Sequence, residues 1–574
     1  MKKITFGTPE EFVPSKFCDG FNYVETETTY DISKIKYKQS NRGVKLEFPL
    51  EADENIFGLG LMLHTINHTH HKLTLHVNAD PKGYTGNTHA PVPFFVTNKG
   101  YGVYVDTARD TTFNCAYVKK PTLEEAEKRE IDVKNGMTPM TTTDELYKTQ
   151  KTNVASFLTI EIPAPGVDIY LIEGKNVGDI VAKYNMLSGG GCEVPDWGLG
   201  TMYRCYSKYT GDQVMATADY FTENNLTISI IGLEPGWQSQ SYSCSYVWDK
   251  ERYPDPQRVV DHLKEKGYHV NLWEHAFTCP DAPFYKEMIP HSGEYEVWGG
   301  LVPDFATKEA VDIFANYHKD NIVSMGIDGF KLDECDNSDY TNHWSFPYCS
   351  DFPSGMDGEQ YHNLFGTLYC KTMLKALDGT PTFSEVRNLG ALAASYPFAL
   401  YSDLYHPLEF LGALTSSGTS GLLWSPEVRH ADSKIEFIRR LQTVVFSAQS
   451  LINAWYCEEL PWQKFDCEDE VRELLEERVK LFPRLRAAFD KYHEEGVPPV
   501  RPLILEYQDD PEVLERNDEY MFCEDLLVAP IIYWCEERDV YIPEGSWVDY
   551  WTGEPVEPGH HTVRNDKIPV YVRK

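Results

Sequence analysis

The sequence predicts an α/β fold in which a (β/α)8 TIM barrel stands between an N-terminal β-sandwich and a small C-terminal β-sandwich domain. Three observations support this class. The 574 residues exceed what one hydrophobic core usually serves, so two to four domains are expected. Strand and helix patterns alternate through the middle of the chain, and short β segments fill both ends. We therefore assign residues 1–190, 191–497 and 498–574 to the three units.

The N-terminal unit has the pattern of an antiparallel β-domain. Short alternating segments such as VKLEFPL, KLTLHV, PFFVTN, GVYVDT and VDIYLI are broken there by Gly, Pro and Asn. The segment from His64 to Lys72, HTINHTHHK, is the densest histidine cluster of the chain, so a metal site has to be considered. Its spacing suits no common zinc template, and we expect a loop or a strand edge there.

The barrel pattern starts after Gly189 to Gly191, which indicates a linker or tight turn. Eight strand candidates follow: GLGTMYRCY from Gly198, ISIIGLE from Ile228, HVNLWEH from His269, GFKLDECD from Gly329, PTFSEVR from Pro381, FALYSDLY from Phe398, SGLLWSPE from Ser420 and SLINAWY from Ser450. Amphipathic stretches such as GDQVMATADYFTENN and DPQRVVDHLKEKG lie between them. The active site of such a barrel lies at the carboxyl ends of its strands.

Polar and aromatic residues gather at those strand ends. In strand order they are Arg204 and Tyr206, Glu234 with Trp237, Trp273 with Glu274 and His275, Asp333, Glu385 with Arg387, Asp403, Trp424 with Glu427, and Asn453 with Trp455. A barrel whose strand ends were only structural would not be expected to collect acids, arginine and tryptophan round one rim. This rim is therefore the predicted active site.

The C-terminal unit follows a long helical stretch, DEVRELLEERVKLFPRLRAAFDKYHEEG. Beyond it, β signals return in LLVAPIIY, RDVYIPEG, SWVDYWTG and KIPVYVRK. These segments predict a small β-domain.

Composition limits the partners. The formal net charge of −35 argues against nucleic-acid and anionic-membrane partners, and it favours a soluble protein with a neutral small-molecule substrate. The 36 Tyr and 12 Trp suit the half-polar aromatic walls of sugar clefts. Two lysines near the N-terminus have no apolar run behind them, so the expected location is the cytoplasm. The 13 Cys are scattered and fit reduced, buried thiols.

The stretch GFKLDECD, Gly329 to Asp336, ends a buried strand in carboxylates. Side chains alternate across a strand, so Phe330 and Leu332 share one face while Lys331 and Asp333 share the other. Burying two charges is costly unless they pair. Either a structural ion pair or a reactive carboxylate explains the pattern.

Two carboxylates across a tryptophan-rich cleft suit glycoside hydrolysis. Asp333 is the better nucleophile, because Lys331 beside it would hold its pKa down. Asp403 has no cation adjacent in sequence, so an apolar setting could raise its pKa as a general acid requires. The alternative for Asp403 is a helix N-cap or turn aspartate.

Several motifs resemble glycoside hydrolase family 31, which includes α-glucosidases, α-xylosidases and some α-galactosidases. The resemblance runs from about Gly58 to the end. In family order it is carried by GLG at Gly58, GYGVYVDT at Gly100, PDWGLG at Pro195, YPDPQRVVDHLKEKGYHVNLW at Tyr253, PDF at Pro303, FPRLRAAF, GVPPVRPLILEYQDD, CEDLLVAP, VYIPEGSWVDYWTG and KIPVYVR.

The resemblance implies that Asp333 is the nucleophile and Asp403 the acid/base of a retaining mechanism without metal or cofactor. It also implies that Arg387 grips the sugar's hydroxyls, that Glu234 binds substrate at the end of strand two, and that Trp273 is an aromatic at the reacting sugar. The remaining members of the predicted substrate-binding set are Lys331, Trp424 and Trp455. An oligosaccharide or glycoside is the expected substrate, and a homo-oligomer is left open.

Departures from the family's α-glucosidases leave the sugar open. Glu334, Cys335 and Asp336 replace the usual Met-Asn-Glu, and Tyr401-Ser402 replaces the usual Trp-x-Gly. Asn453, Ala454 and Trp455 stand where an arginine and a histidine are expected, and Lys331-x-Asp333 is closer to the α-xylosidases and to the related clan of α-galactosidases. The expected activity is that of an exo-acting α-glucosidase or α-galactosidase; an α-xylosidase, a lyase, a transglycosidase and a non-catalytic sugar-binding protein are the alternatives.

Overall fold

Eight parallel strands form the central sheet of the computed structural model, which describes residues 1–120, 123, 156–338, 344–564 and 567–574. They are β12 (Thr201–Arg204), β13 (Ile228–Leu233), β14 (His269–His275), β15 (Gly329–Asp333), β16 (Ser384–Val386), β17 (Phe398–Leu400), β18 (Glu427–Val428) and β19 (Ser450–Asn453). Their order is β17-β16-β15-β14-β13-β12-β19-β18. A parallel bridge between Leu400 and Trp424 joins the two edges, so the predicted barrel is confirmed.

The seventh strand is shorter than SGLLWSPE predicts, since regular pairing covers only Glu427–Val428. Leu400 N donates to Leu423 O and Ser425 N donates to Leu400 O, both at 2.8 Å, so this segment first pairs with β17. Pro426 then offers no N–H to the ladder, and the chain continues beside β19. The proline divides the strand between its two neighbours.

Helices accompany the strands, and several of them begin at a residue whose side chain caps the first turn. The helices are α1 (Pro14–Phe17), α2 (Val177–Met186), α3 (Gly211–Glu223), α4 (Pro256–Glu265), α5 (Tyr285–Met288), α6 (Lys308–Asn321), α7 (Gly358–Leu377), α8 (Pro407–Ser417), α9 (Lys434–Val445), α10 (Glu468–Lys480) and α11 (Phe482–Glu495). Thr210 and Asp357 each form a capping box with the glutamine three residues on, which fixes the starts of α3 and α7. The predicted long helical stretch is two helices, because Pro483 starts a new helix.

The N-terminal unit is a sandwich of two sheets, and its strands are β1 (Lys2–Gly7), β2 (Lys36–Ser40), β3 (Gly43–Leu50), β4 (Ile56–Gly60), β5 (Lys72–Val77), β6 (Asn87–Thr88), β7 (Pro91–Thr97), β8 (Tyr101–Asp106), β9 (Thr111–Val118), β10 (Ser156–Ile162) and β11 (Gly166–Glu173). One sheet runs β1-β11-β8-β7-β4 and the other β2-β3-β10-β9-β5-β6. Apolar side chains from both sheets, including Leu46, Phe95 and Ile160, form the core between them. The segment between β6 and β7 carries His89 to the barrel.

The C-terminal unit contains β20 (Val500–Pro502), β21 (Tyr520–Phe522), β22 (Leu526–Val528), β23 (Arg538–Ile542), β24 (Trp547–Asp549), β25 (Pro555–Val556), β26 (Gly559–Val563) and β27 (Val570–Arg573). Six of them form one antiparallel sheet, while β23 pairs with β26. All cysteine thiols are free, and most are buried. Of the helices in the described part of the chain, none is long and apolar enough to cross a bilayer.

Candidate active site

Asp333 lies at the carboxyl end of β15, buried against β14. Trp273 Nε1 donates a hydrogen bond to Asp333 Oδ2 at 2.6 Å, and the backbone N–H of Glu334 donates to Oδ1 at 2.9 Å. Trp273 is only 1% exposed, so its indole fixes the carboxylate from inside the barrel. Both oxygens of Asp333 are thus oriented by N–H donors.

Lys331 shares the inward face of β15, as strand alternation predicts. Its Nζ lies 3.4 Å from Glu234 Oε1 and 4.6 Å from the centroid of the Tyr401 ring. Glu234 Oε1 also accepts from Arg204 Nε, so both cations hold the same buried carboxylate. The structure therefore places Glu234 inside an ion-pair network of the barrel interior.

Arg387 connects the two predicted catalytic carboxylates. Its Nη1 donates to Asp403 Oδ2 at 2.5 Å and lies 3.5 Å from Asp333 Oδ1. These contacts set an upper limit of about 6 Å between the two carboxylate oxygens, which is shorter than the roughly 6.5–9.5 Å separation of inverting glycosidases. Nε of Arg387 donates to Asp336 at 3.1 Å. One guanidinium therefore serves three carboxylates.

The pKa of Asp403 differs from the sequence-based expectation. The side chain is 60% exposed, so the loss of water that raises its pKa is outweighed by Arg387, Lys331 and Arg429, and the pKa lies at about 2. The expected apolar setting was wrong, because Arg387 approaches from the neighbouring strand rather than from the adjacent sequence.

The pKa of Asp333 is also shifted against expectation. Burial raises it, with the charge of Asp403 adding to the rise, while Arg387, Lys331 and the Trp273 N–H oppose it. Lys331 acts in the predicted direction, but its effect is smaller than that of burial. Proton affinity is therefore greater at Asp333 than at Asp403.

Glu334 follows Asp333 in a left-handed backbone conformation, with φ of 58°. Its Oε1 accepts from the Tyr242 hydroxyl at 3.2 Å and its Oε2 from Asn337 Nδ2 at 3.0 Å. Burial, and then the charge of Asp333, raise the pKa of Glu334 to about 8. A neutral carboxyl group therefore lies beside Asp333 at pH 7.

Two predicted substrate-binding tryptophans stand apart from this network. Trp424 is 1% exposed, and its Nε1 has no hydrogen-bond partner among the residues that the structure describes. Trp455 is half-buried and packs edge-on against Tyr456 with ring centroids 4.6 Å apart. Within the described contacts, neither indole is hydrogen-bonded to Asp333 or Asp403.

Several residues of the site were not predicted as site residues. Tyr401 is buried under the cations of Lys331 and Arg387, and Arg429 Nη2 donates to the Asp403 carbonyl at 2.7 Å. Both lie on or beside strands ending at the rim, so strand alternation could have indicated them. His89 and Tyr242 come from loops distant in sequence, where no local pattern marks them.

The predicted loop at HTINHTHHK lies between β4 and β5. His68 Nε2 contacts the Gly58 carbonyl oxygen at 2.8 Å, and its Nδ1 contacts the Tyr84 hydroxyl. Across the described ranges, no group of three or more His, Cys, Asp or Glu side chains is arranged to hold a metal ion.

Three family descriptions match consecutive parts of the chain. They are "Glycosyl hydrolase 31 N-terminal galactose mutarotase-like domain" at residues 18–114, "Glycosyl hydrolases family 31 TIM-barrel domain" at 192–488 and "Glycosyl hydrolase family 31 C-terminal domain" at 496–574. The middle match alone covers more than half of the chain.

Characterised relatives are distant and differ in substrate. An α-xylosidase of Emericella nidulans is 23% identical over 92% of this chain and 67% of its own length, and an α-glucosidase of Saccharolobus solfataricus is 23% identical over 100% and 85%. A dextranase of Flavobacterium johnsoniae, solved with isomaltotriose, is 22% identical with a TM-score of 0.78 over 95% of this chain and 68% of its own. At that identity the solved structure supports the fold alone.

Proposed function

The chain belongs to glycoside hydrolase family 31, and on that premise we propose that it is an exo-acting, anomer-retaining α-glycoside hydrolase. Its substrates are small neutral glycosides with a terminal α-linked hexose, of the α-glucoside or α-galactoside type. The observation that supports this most is the pair of carboxylates, Asp333 and Asp403, which share Arg387 at a separation below that of inverting glycosidases.

In the first step, a carboxylate oxygen of Asp333 attacks the anomeric carbon while the bond to the leaving oxygen breaks. Asp403 gives its proton to that oxygen, and a glycosyl-enzyme ester forms. In the second step, Asp403 takes a proton from water, which attacks the anomeric carbon and restores the Asp333 carboxylate. Trp273 and the Glu334 N–H hold Asp333 in line throughout.

Substrate binding has to reverse the order of proton affinities of Asp333 and Asp403. Arg387 holds Asp403 ionised until another acceptor takes its Nη1. Sugar hydroxyls are such acceptors, and once they separate Arg387 from Asp403 the pKa of Asp403 rises. The same hydroxyls leave the guanidinium beside Asp333, where its charge lowers the pKa of the nucleophile.

The charge of the site favours a neutral sugar. Acids outnumber cations around it: the acids are Glu234, Asp333, Asp336, Asp403 and Glu427, and the cations are Arg204, Lys331, Arg387 and Arg429. Each cation already pairs with a carboxylate, so an anionic sugar would bind without a free counter-charge. An α-xyloside is the second candidate, because the inward Lys331 matches the α-xylosidase-like strand.

A panel of aryl α-glycosides tests the proposal. We expect turnover on a gluco, galacto or xylo member and none on the sulfoquinovosyl member, with the first product retaining the α configuration by proton NMR. Asp333→Ala should abolish turnover on every member.

The matched control is Asp328→Asn, which changes a buried carboxylate at the opposite end of β15, where Asp328 pairs with Lys264. Its activity should stay near that of the wild type. Hydrolysis by Asp333→Ala, or an enol-derived product, would exclude the proposed reaction.

A further inference from the structure

One buried histidine of the N-terminal sandwich reaches all three loops that carry the site. His89 Nδ1 lies 2.6 Å from Asp336 Oδ2, and its Nε2 lies 2.7 Å from Ser402 Oγ. Asn388 Nδ2 donates to the His89 carbonyl oxygen at 2.6 Å. These partners follow or precede Asp333, Arg387 and Asp403 by one to three residues, and His89 is fully buried.

The hydrogen-bond partners of His89 indicate the role of each ring nitrogen. Asp336 Oδ2 also accepts from Arg387 Nε, so we assign His89 Nδ1 as a second donor to the same oxygen. Nε2 then pairs with the Ser402 hydroxyl, and the Ser402 oxygen accepts from the Leu404 N–H at 3.0 Å.

Asp336 connects His89 to Arg387. Its Oδ2 accepts from both His89 Nδ1 and Arg387 Nε, and the Asp336 side chain is fully buried. With Nε held, the guanidinium plane is fixed and Nη1 points at the two carboxylates. The second ring nitrogen of His89 contacts Ser402, which immediately precedes Asp403.

From this geometry we infer that His89 is a positioning residue for the catalytic centre, through which the N-terminal sandwich fixes Arg387 and the Asp403 loop relative to Asp333. The inference rests on the proposed function, because its effect is measured through the kinetic constants of glycoside hydrolysis. A histidine that only filled space would not bridge three separate loops by hydrogen bonds to both ring nitrogens and its backbone.

Three substitutions separate the two side-chain contacts of His89, which we call the Asp336 arm (through Nδ1) and the Ser402 arm (through Nε2). His89→Asn retains a donor near the Nδ1 position and so keeps the Asp336 arm, His89→Gln retains an amide near Nε2 and keeps the Ser402 arm, and His89→Phe removes both. We expect His89→Phe to lower kcat/KM about 100-fold, as misplacement of catalytic groups by about 1 Å does. His89→Asn should restore KM, which depends on Arg387, and His89→Gln should not.

His68→Phe is the matched control, because His68 is a buried histidine of the same sandwich with two hydrogen bonds that lie away from the barrel. Circular dichroism and thermal unfolding of all variants measure folding separately. We expect His68→Phe to keep the kinetic constants of the wild type, whatever it does to Tm.

Equal kinetic constants for wild type and folded His89→Phe would overturn the inference. A wild-type protein without turnover on any α-glycoside would overturn the proposed function instead. In that case calorimetry with free glucose, galactose and xylose still tests His89, because weaker binding by His89→Phe and His89→Gln than by His89→Asn is expected of an oriented Arg387.

Discussion

Three carboxylates share the guanidinium of Arg387, and the residue is only 3% exposed. A buried cation with several acidic partners is stable when its hydrogen bonds are satisfied. In the proposed mechanism Asp336 orients the guanidinium, while Asp333 and Asp403 react with the sugar. The arginine therefore links sugar binding to the protonation of both catalytic groups.

Asp403→Ala should separate substrates by leaving group. Removing the general acid should cost about 100- to 10,000-fold in kcat on glycosides with poor leaving groups. A glycosyl fluoride needs no protonation of that kind, so its cleavage should fall far less. Kinetics on both substrates check this, and equal losses on the two would show that another residue is the acid.

Glu334→Gln should stabilise the protein in a defined pH window. The folded-state pKa of Glu334 is about 8 against an ordinary 4.5, so folding is favoured by its proton below pH 4.5 and loses that contribution as pH rises to 8. The variant's gain in Tm over the wild type should therefore be small near pH 4.5, grow up to about pH 8, and level off above. Thermal unfolding across this range measures it.

A pH-independent difference in Tm would contradict the buried, protonated state of Glu334. The matched control is Glu296→Gln, which changes an exposed glutamate outside the network, and its difference in Tm from the wild type should not grow with pH.

At the level of elements, the two ends of the barrel have different tasks. Arg478 of α10 is fully buried away from the catalytic strand ends and donates to four backbone carbonyls, those of Leu199, Val445, Ser447 and Ala448. Burial lowers its pKa to about 9, yet it remains charged at neutral pH. It ties the segments entering β12 and β19 together.

Arg478→Met should therefore destabilise without altering catalysis. The loss leaves buried carbonyls unpaired, which costs about 3 kcal/mol. Arg472→Met, on the same helix, breaks half-exposed ion pairs worth at most about 1 kcal/mol. Denaturant unfolding should rank the two in that order while KM stays constant. A lowered kcat in folded Arg478→Met would assign this end of the barrel a part in catalysis.

The sequence could predict elements wherever local chemistry decides them. Strand alternation in GFKLDECD gave the inward faces of Lys331 and Asp333 correctly, because this property needs only the backbone pleat. The seventh strand was placed too early, because its pairing depends on which neighbour offers partners on each side of Pro426. The prediction of a raised pKa for Asp403 was wrong for a similar reason. The cation that lowers this pKa, Arg387, follows another strand and is not adjacent in sequence.

At the level of the whole molecule, one apolar cluster reaches all three units and is separate from the core between the two sheets of the N-terminal sandwich. A single cluster contains Phe57 and Phe94 of the sandwich, Leu272 and Phe330 of the barrel, and Phe522 and Val570 of the C-terminal sheet. Arg109 adds ion pairs from the sandwich to Asp357 and Glu359 at the start of α7. The flanking units therefore hold the barrel loops in place.

The docking of the three units determines features of the site that the hydrophobic periodicity of the sequence cannot predict. Eight apolar runs between amphipathic helices are local signals, so they predict the barrel and the rim. The approach of His89 to three rim loops depends on how the sandwich docks, and no spacing within the sequence encodes it.

The central claim is a covalent glycosyl-enzyme on Asp333. The most direct test is mass spectrometry of the intact protein and of its peptides. The protein is first treated with a 5-fluoroglycosyl fluoride that carries the sugar whose α-glycoside is hydrolysed fastest. The account predicts one adduct per chain, located on Asp333 in the peptide that contains GFKLDECD, and no adduct on Asp333→Ala. An adduct on another carboxylate, or turnover without any adduct, would contradict it.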